Sequence, residues 1–237
     1  MMRNEVLHGY LIHHRKYRDR SHIVHLFSQE YGRIDGILRQ MPAPQYQPLC
    51  LQATGKSALK NFSKLEIVSQ PVFFYGDAFF AGFYLNEILL RLCPIEEPMP
   101  QTFQQYHLTI AALQQLSQQA EQSVFLKQVL RQFEYVLLEE LGYALSFDVD
   151  AKQLPILAER RYELHLNDGF VVVSHTSSAS VTGEQILTMT DYVVGQDFNP
   201  AQLQLLTKLY RQLIAALLGD RPLKSRQLWI QNIQSKS

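Results

Sequence analysis

Four cations, Arg15, Lys16, Arg18 and Arg20, fall within six residues of the stretch "HHRKYRDRSHIVHLF", His13 to Phe27. Guanidinium and ammonium groups at that density neutralise phosphates, and Tyr17 among them offers a flat ring that can stack on an unpaired base. A charge run alone describes only a solvated loop. Here, however, Arg33, Arg39, Lys56 and Lys60 recur on later strand-like segments, and strand alternation would bring several of them to one face. The chain has no net charge, yet residues 1–64 hold ten Lys/Arg against four Asp/Glu, whereas residues 65–160 hold five against twelve. This asymmetry marks an anion-binding end without identifying the anion.

Other chemistries find less support. His13, His14, His22 and His25 could suggest a metal, but no cysteine or HExxH pattern accompanies them, so they read as surface or half-buried histidines. "ATGKS" resembles the end of a phosphate-binding loop, but Cys50 stands where the first glycine is required. It also lies between short strands rather than ahead of a helix, so Lys56 and Lys60 read as exposed charges on a β-hairpin. There is no GxSxG elbow, and neither Cys50 nor Cys93 has the context of a nucleophile or a CxxC pair. A nucleotide-dependent enzyme acting through "GKS" and a plain interaction scaffold are the competing readings. ATP binding by the pure protein would favour the first, and DNA binding would disfavour the second.

The elements that must carry these residues follow from periodicity. With 46% apolar and 19% charged residues the chain is a folded globular protein. It lacks a secretory pattern at the N-terminus and any apolar run near the ~18 residues of a membrane span, so a cytoplasmic protein with reduced thiols is expected. "GYLIHH", "SHIVHLFS", "GRIDGILRQ", "PLCLQATG" and "KLEIVSQPVFFY" read as five short strands, which suits a small barrel of the OB-fold kind. From Asp77, a candidate N-cap, the period turns helical through "AFFAGFYLNEILLRL" until Pro94. A second helix is expected in "TFQQYHLTIAALQQLSQQ". A third starts at Ser123 with a stripe of Leu126, Leu130, Phe133, Leu137 and Leu141, and ends at Gly142. Asn167, Asp168 and Gly169 form the turn of a hairpin. Asn199, Pro200 and Gln202 then open a last long helix with a capping box, which Phe198 staples onto Leu203. Its seam is Leu203, Leu206, Tyr210, Leu213 and Leu217, and Gly219 and Pro222 end it.

Several segments taken together resemble the RecO family of bacterial recombination mediators. In "GYLIHHRKYRDRSHIVHLFSQEYGRIDGIL", the residues Arg15, Tyr17, Ser21, Leu26, Phe27, Gly32 and Arg33 stand where the family pattern has them. "QPL" at Gln47–Leu49, "YLNEILLRL" at Tyr84–Leu92, "LRQFEYVLLEELGY" at Leu130–Tyr143 and "GDRPLKSRQL" at Gly219–Leu228 follow in family order. The resemblance implies an α+β protein: an N-terminal five-stranded OB-fold barrel for DNA over 1–76, then an α-helical domain over 77–237. A small β-hairpin insertion is expected at about 146–195. It also implies a non-enzymatic role in DNA repair and recombination with no cofactor. The family binds single- and double-stranded DNA, anneals complementary strands, recognises the acidic C-terminal tail of single-strand binding protein (SSB), partners RecR and helps load RecA. Such work would be cytoplasmic, at the nucleoid.

Two departures bear on the site. Many members carry a four-cysteine zinc site after the "LGY" helix end, but no cysteine occurs between Ser146 and Gly195, so a zinc-less hairpin held by packing is expected. The family's basic stretch after the third strand is here "RQMPAP", where only Arg39 remains; Arg18 and Arg20 would compensate. The expected DNA contacts are therefore Arg15, Lys16, Tyr17, Arg18, Arg20, Arg33, Arg39, Lys56 and Lys60, with the C-terminal Lys224 and Arg226 next. Those last two could equally serve a helix dipole. For an acidic tail with an apolar end, Lys127 and Arg131 sit one turn apart beside the apolar stripe of the third helix. An ordinary bundle helix with a solvated edge explains them as well.

Overall fold

Five strands close into a barrel because the first one is long enough to pair on both sides. A computed structural model describes residues 2–193, 195–219 and 221–234; Val194 of the expected insertion, Asp220 of the closing motif and residues 235–237 of the expected helical domain lie outside them. Strand β1 (Met2–Arg18) pairs β4 (Pro48–Gly55) through its first half and β2 (Ser21–Ser28) through its second. β3 (Gly32–Leu38) lies antiparallel to β2 and parallel to β5 (Lys60–Ile67), which returns to β4. The closed order β1-β2-β3-β5-β4 is the OB-type barrel expected. Period-two burial builds its core: Leu49, Leu51 and Ala53 of β4 point inward, joined by Leu7, Leu11, Val24, Leu26, Ile34, Leu38 and Phe62.

The strand expected at Gly9–His14 is much longer, so Arg15, Lys16 and Arg18 stand on a paired strand rather than in a loop. Arg15 pairs Ile23, Lys16 pairs His22 and Arg18 pairs Ser21, leaving only Asp19 and Arg20 in the turn. The cations extend a paired hairpin, and the ladder fixes their register.

Contacts divide the described chain into two compact units, one of residues 1–118 with 223–237 and the other Gln119–Pro222. In the first, α1 (Asp77–Leu92) and α2 (Pro100–Gln114) follow the barrel, and α6 (Lys224–Gln234) returns to pack on α1. Asp77 does not cap α1: Gly76 holds the N-cap position at φ 56 without a side-chain bond, and Asp77 lies in the first turn. α2 starts earlier than expected, with Pro100 in its first turn, and gives way to a short 3-10 turn at Leu116–Gln118. Its Tyr106 packs edge-on to Tyr10 and Phe27 of the barrel and donates a hydrogen bond to Asn86 of α1 (2.7 Å).

In the second unit α3 (Gln122–Glu140) packs on α5 (Pro200–Leu218). Leu126, Leu130, Phe133 and Leu137 are buried on α3, and Leu203, Leu206, Tyr210 and Leu213 on α5; Leu141 and Leu217 are half-buried. The Asn199–Gln202 capping box forms in both directions, and Gly142 turns the chain at φ 84. The hairpin β6 (Arg161–His165) and β7 (Gly169–Val173) gains a third strand, β8 (Val181–Thr182), and a helical turn, α4 (Gly183–Leu187), neither of which was expected.

Hydrogen bonds and ring packing hold the segment after Gly142, where the resemblance implies a zinc site in other members. Asp150 accepts backbone N–H bonds from Lys152 and Leu154, Tyr162 accepts one from Leu157, and the Phe147 and Phe170 rings pack 6.0 Å apart. Among the described residues no group of three or more His, Cys, Asp or Glu is arranged to hold a metal ion, so the donors present do not fit that zinc site. A strong chelator should therefore leave the melting temperature of the purified protein unchanged. Stoichiometric zinc by elemental analysis, or a drop in melting temperature with chelator, would overturn this expectation.

Candidate nucleic-acid interface

The residues singled out for phosphate contact divide into three groups once the barrel is built. Arg15, Lys16, Tyr17, Arg18 and Arg20 are all exposed on the β1–β2 hairpin. The Arg18 guanidinium lies 5.1 Å from the centroid of the Tyr17 ring, a cation–π contact that holds both side chains at the hairpin tip. Exposed Arg39 follows the end of β3, which pairs with the start of β2 through His22 and Leu38, so it lies at the same end of the barrel.

Lys224 joins this group from far along the chain. Its backbone N–H donates to Glu87 Oε1 (2.9 Å), while the Ser225 N–H and hydroxyl donate to Glu87 Oε2 (2.9 and 2.7 Å). A carboxylate from α1 thus takes up the orphan donors at the start of α6, where the helix dipole favours negative charge. Lys224 is thereby held where its charge, like that of Arg15, acts on the His13 imidazole of the same hairpin. The His13 pKa lies below its usual value through desolvation first, then through the positive fields of His25, His14, Arg15 and Lys224. His14 is lowered by desolvation and then by His22. The rings pair across the strands, His13 with His25 at 5.6 Å and His14 with His22 at 6.0 Å. Arg226, two residues after Lys224, is exposed on the same helix.

Lys56 belongs to a different place. It is exposed in the β4–β5 turn, next to Gly55, which pairs Met2 at the start of β1. The hairpin cations stand at the other end of that 17-residue strand. The register separates the two.

Two members of the expected set are structural instead. Arg33 is not an exposed strand cation. It bonds both Asp35 oxygens (3.1 and 2.8 Å) and the Leu90 carbonyl near the C-terminus of α1 (2.5 Å). His25 completes that network at 2.7 Å from Asp35 Oδ1. Burial pushes the Asp35 carboxyl up, but the hydrogen bonds from His25 and Arg33 outweigh it and hold the pKa at about 2. Lys60 is likewise not exposed: its side chain is 4% accessible, with Nζ on the Ser57 carbonyl (2.8 Å) and on Glu96 Oε1 (2.6 Å). Both cations are consumed in holding the barrel to the chain around α1.

On α3, Lys127 is exposed, but Arg131 is mostly buried and ion-paired to the buried Glu134 at 2.5 Å. A solvated rim of two cations is therefore reduced to one. Sequence spacing missed Glu87, whose role depends on partners 137 and 138 residues away. No local signal could have shown it.

Two family models cover the chain. "Recombination protein O N terminal" matches residues 2–71, and "Recombination protein O C terminal" matches 75–227. The chain belongs to the RecO family. It is 34% identical over 228 residues to the DNA repair protein RecO of Pseudomonas putida (strain W619), spanning 93% of this chain and 95% of that one. It is equally 34% identical to RecO of Pseudomonas aeruginosa (strain LESB58), over 233 residues and 95% of each, and 33% identical to that of Pseudomonas entomophila (strain L48) over 93% and 95%. The basic hairpin thus stands on the N-terminal barrel of a RecO-family DNA repair protein. Among the described residues no helix is long and apolar enough to cross a membrane.

Proposed function

We propose that this protein binds single- and double-stranded DNA through the basic end of its barrel. There it anneals complementary strands and, with SSB and RecR, supports RecA loading in repair at the nucleoid. The observation that carries the reading is the exposed array Arg15, Lys16, Arg18 and Arg20 on a paired hairpin, with Lys224 held by Glu87 where its charge reaches His13 of the same strand. Arg39 and Arg226 are peripheral contacts, and Lys56 would touch only DNA that reaches the other barrel end. Phosphate contacts of this kind release counterions, so affinity for a labelled single strand must fall steeply with salt. A flat salt dependence, or ATP turnover by the pure protein, would overturn it. For the SSB tail, Lys127 is the exposed cation on α3, and Arg131, paired with Glu134, is the second residue of the proposed site.

The histidines give the DNA reading a pH signature. In the free protein His13 and His14 resist protonation, and His13 Nδ1 has no hydrogen-bond partner among the described residues. A phosphate laid across Arg15 and Lys224 offsets the positive fields that disfavour imidazolium. Binding then raises these pKa values, protons are taken up, and affinity rises as pH falls through the range around 6.5. With His13→Gln and His14→Gln combined, the slope of log affinity against pH between 8 and 6 should flatten. A slope equal to the parent's would exclude these histidines from the interface.

A further inference from the structure

We infer that the extended segment after β5 is a base-stacking platform, adding to the interface a contact that only unpaired strands can use; this rests on the DNA-binding reading above. Between Ile67 and Gly76 the chain reads "IVSQPVFFYG", with no charged side chain. Phe74 is buried, its ring 4.7 Å from that of Tyr46 and packed on Gly82 of α1, where a Cβ would come within 2.9 Å of it. The residues on either side point outward: Phe73 is 68% and Tyr75 80% exposed. One pinned ring between two free ones makes a braced edge rather than a loose loop. Rings presented this way cost little to order when a ligand arrives, because the backbone beneath them is already fixed.

Placement and charge decide the occupant. Ile67 ends β5 opposite Leu49, and Val68 N–H donates to the Pro48 carbonyl. Pro48 in turn pairs Tyr10 of β1, on the side of that strand leading to Arg15–Arg18. The aromatic segment therefore leaves the barrel at the end that carries the basic hairpin and Arg39. Exposed flat rings on a segment that leaves the barrel at its phosphate-neutralising end match the two parts of a single strand, its bases and its backbone. In a duplex the bases already stack on each other, so the rings have nothing to receive. A protein partner would sooner meet a groove, and Phe73 and Tyr75 protrude.

The test compares a labelled oligothymidylate, a duplex of the same length and an abasic strand at one salt concentration. In the full-length protein Phe73→Ala with Tyr75→Ala should weaken the oligothymidylate at least tenfold, given that one stacked base contributes about 5- to 150-fold. The duplex and the abasic strand should change less than twofold, with the salt slope unaltered. Phe73→Leu with Tyr75→Leu keeps apolar bulk without the flat ring and should lose the single strand equally. Parent-like binding by the leucine variant overturns stacking. Unchanged oligothymidylate affinity in the alanine variant assigns the rings to a protein surface and overturns the inference, as does an equal loss on duplex and single strand. If the parent itself binds no DNA in a salt-dependent way, the DNA reading has failed rather than the platform.

Discussion

Replacing Arg15, Lys16, Arg18 and Arg20 together by Ala should lower the slope of log affinity against log salt by about 2.8 for single-stranded DNA. The figure takes one phosphate per cation at about 0.7 each. If affinity extrapolated to 1 M salt is unchanged, the same arithmetic gives a loss of roughly 600-fold at 0.1 M. The loss should be alike for unrelated sequences, since backbone contacts carry no base information. Stability should hardly move, because all four side chains are exposed and none is in an ion pair among the described residues. Lys56→Ala is the internal control: it removes a charge of the same sign at the other end of β1 and should leave the slope unchanged for a short strand. A quadruple variant that keeps the parent's slope would move the DNA site off the hairpin.

Asp35→Ala should destabilise the first unit by about 3–5 kcal/mol, the range for breaking a buried ion pair by removing one partner. The carboxylate is 12% accessible and receives Arg33 through two nitrogens and His25 through a third. Without it Arg33 keeps only the Leu90 carbonyl among these contacts. The effect must depend on pH. The folded pKa, about 2, lies below the ordinary 3.8, so the stabilisation is complete above 3.8 and is lost as pH falls through about 2. Urea unfolding of parent and variant should therefore differ most near neutrality, and the difference should narrow in strong acid without vanishing. A difference under 1 kcal/mol at pH 7 would show that the network contributes little. Arg33→Ala should reproduce most of the loss, as a stability defect distinct from the hairpin variant's binding defect.

What the sequence discloses here is what its neighbours in sequence decide. The Asn199–Pro200–Gln202 helix start, the Asn167–Gly169 turn, the α3 stripe and the five-strand barrel all rest on residues a few positions apart, and all are present. The extent of β1 was hidden because its last residues are charged, and charge reads as loop until β2 is known to pair with it. The destinations of Arg33 and Lys60 were hidden for another reason. A cation looks the same in sequence whether it faces water or a carboxylate, and Leu90 and Glu96 come from beyond the barrel. Asp77 shows the converse: a residue of the right type for a cap, preceded by a glycine whose left-handed backbone already turns the chain.

The return of α6 to α1 has a consequence for biogenesis. Residues from Leu223 onward belong with the barrel unit, yet the ribosome must first make all of Gln119–Pro222. Until then Glu87 has neither the Lys224 nor the Ser225 amide to accept from, and the hairpin lacks its neighbouring ammonium group. A nascent chain can close its barrel early and still not possess the finished electropositive surface. A stalled or clipped product ending before Leu223 would carry the whole hairpin but not the lysine beside it, so incomplete chains should compete poorly for DNA with finished ones.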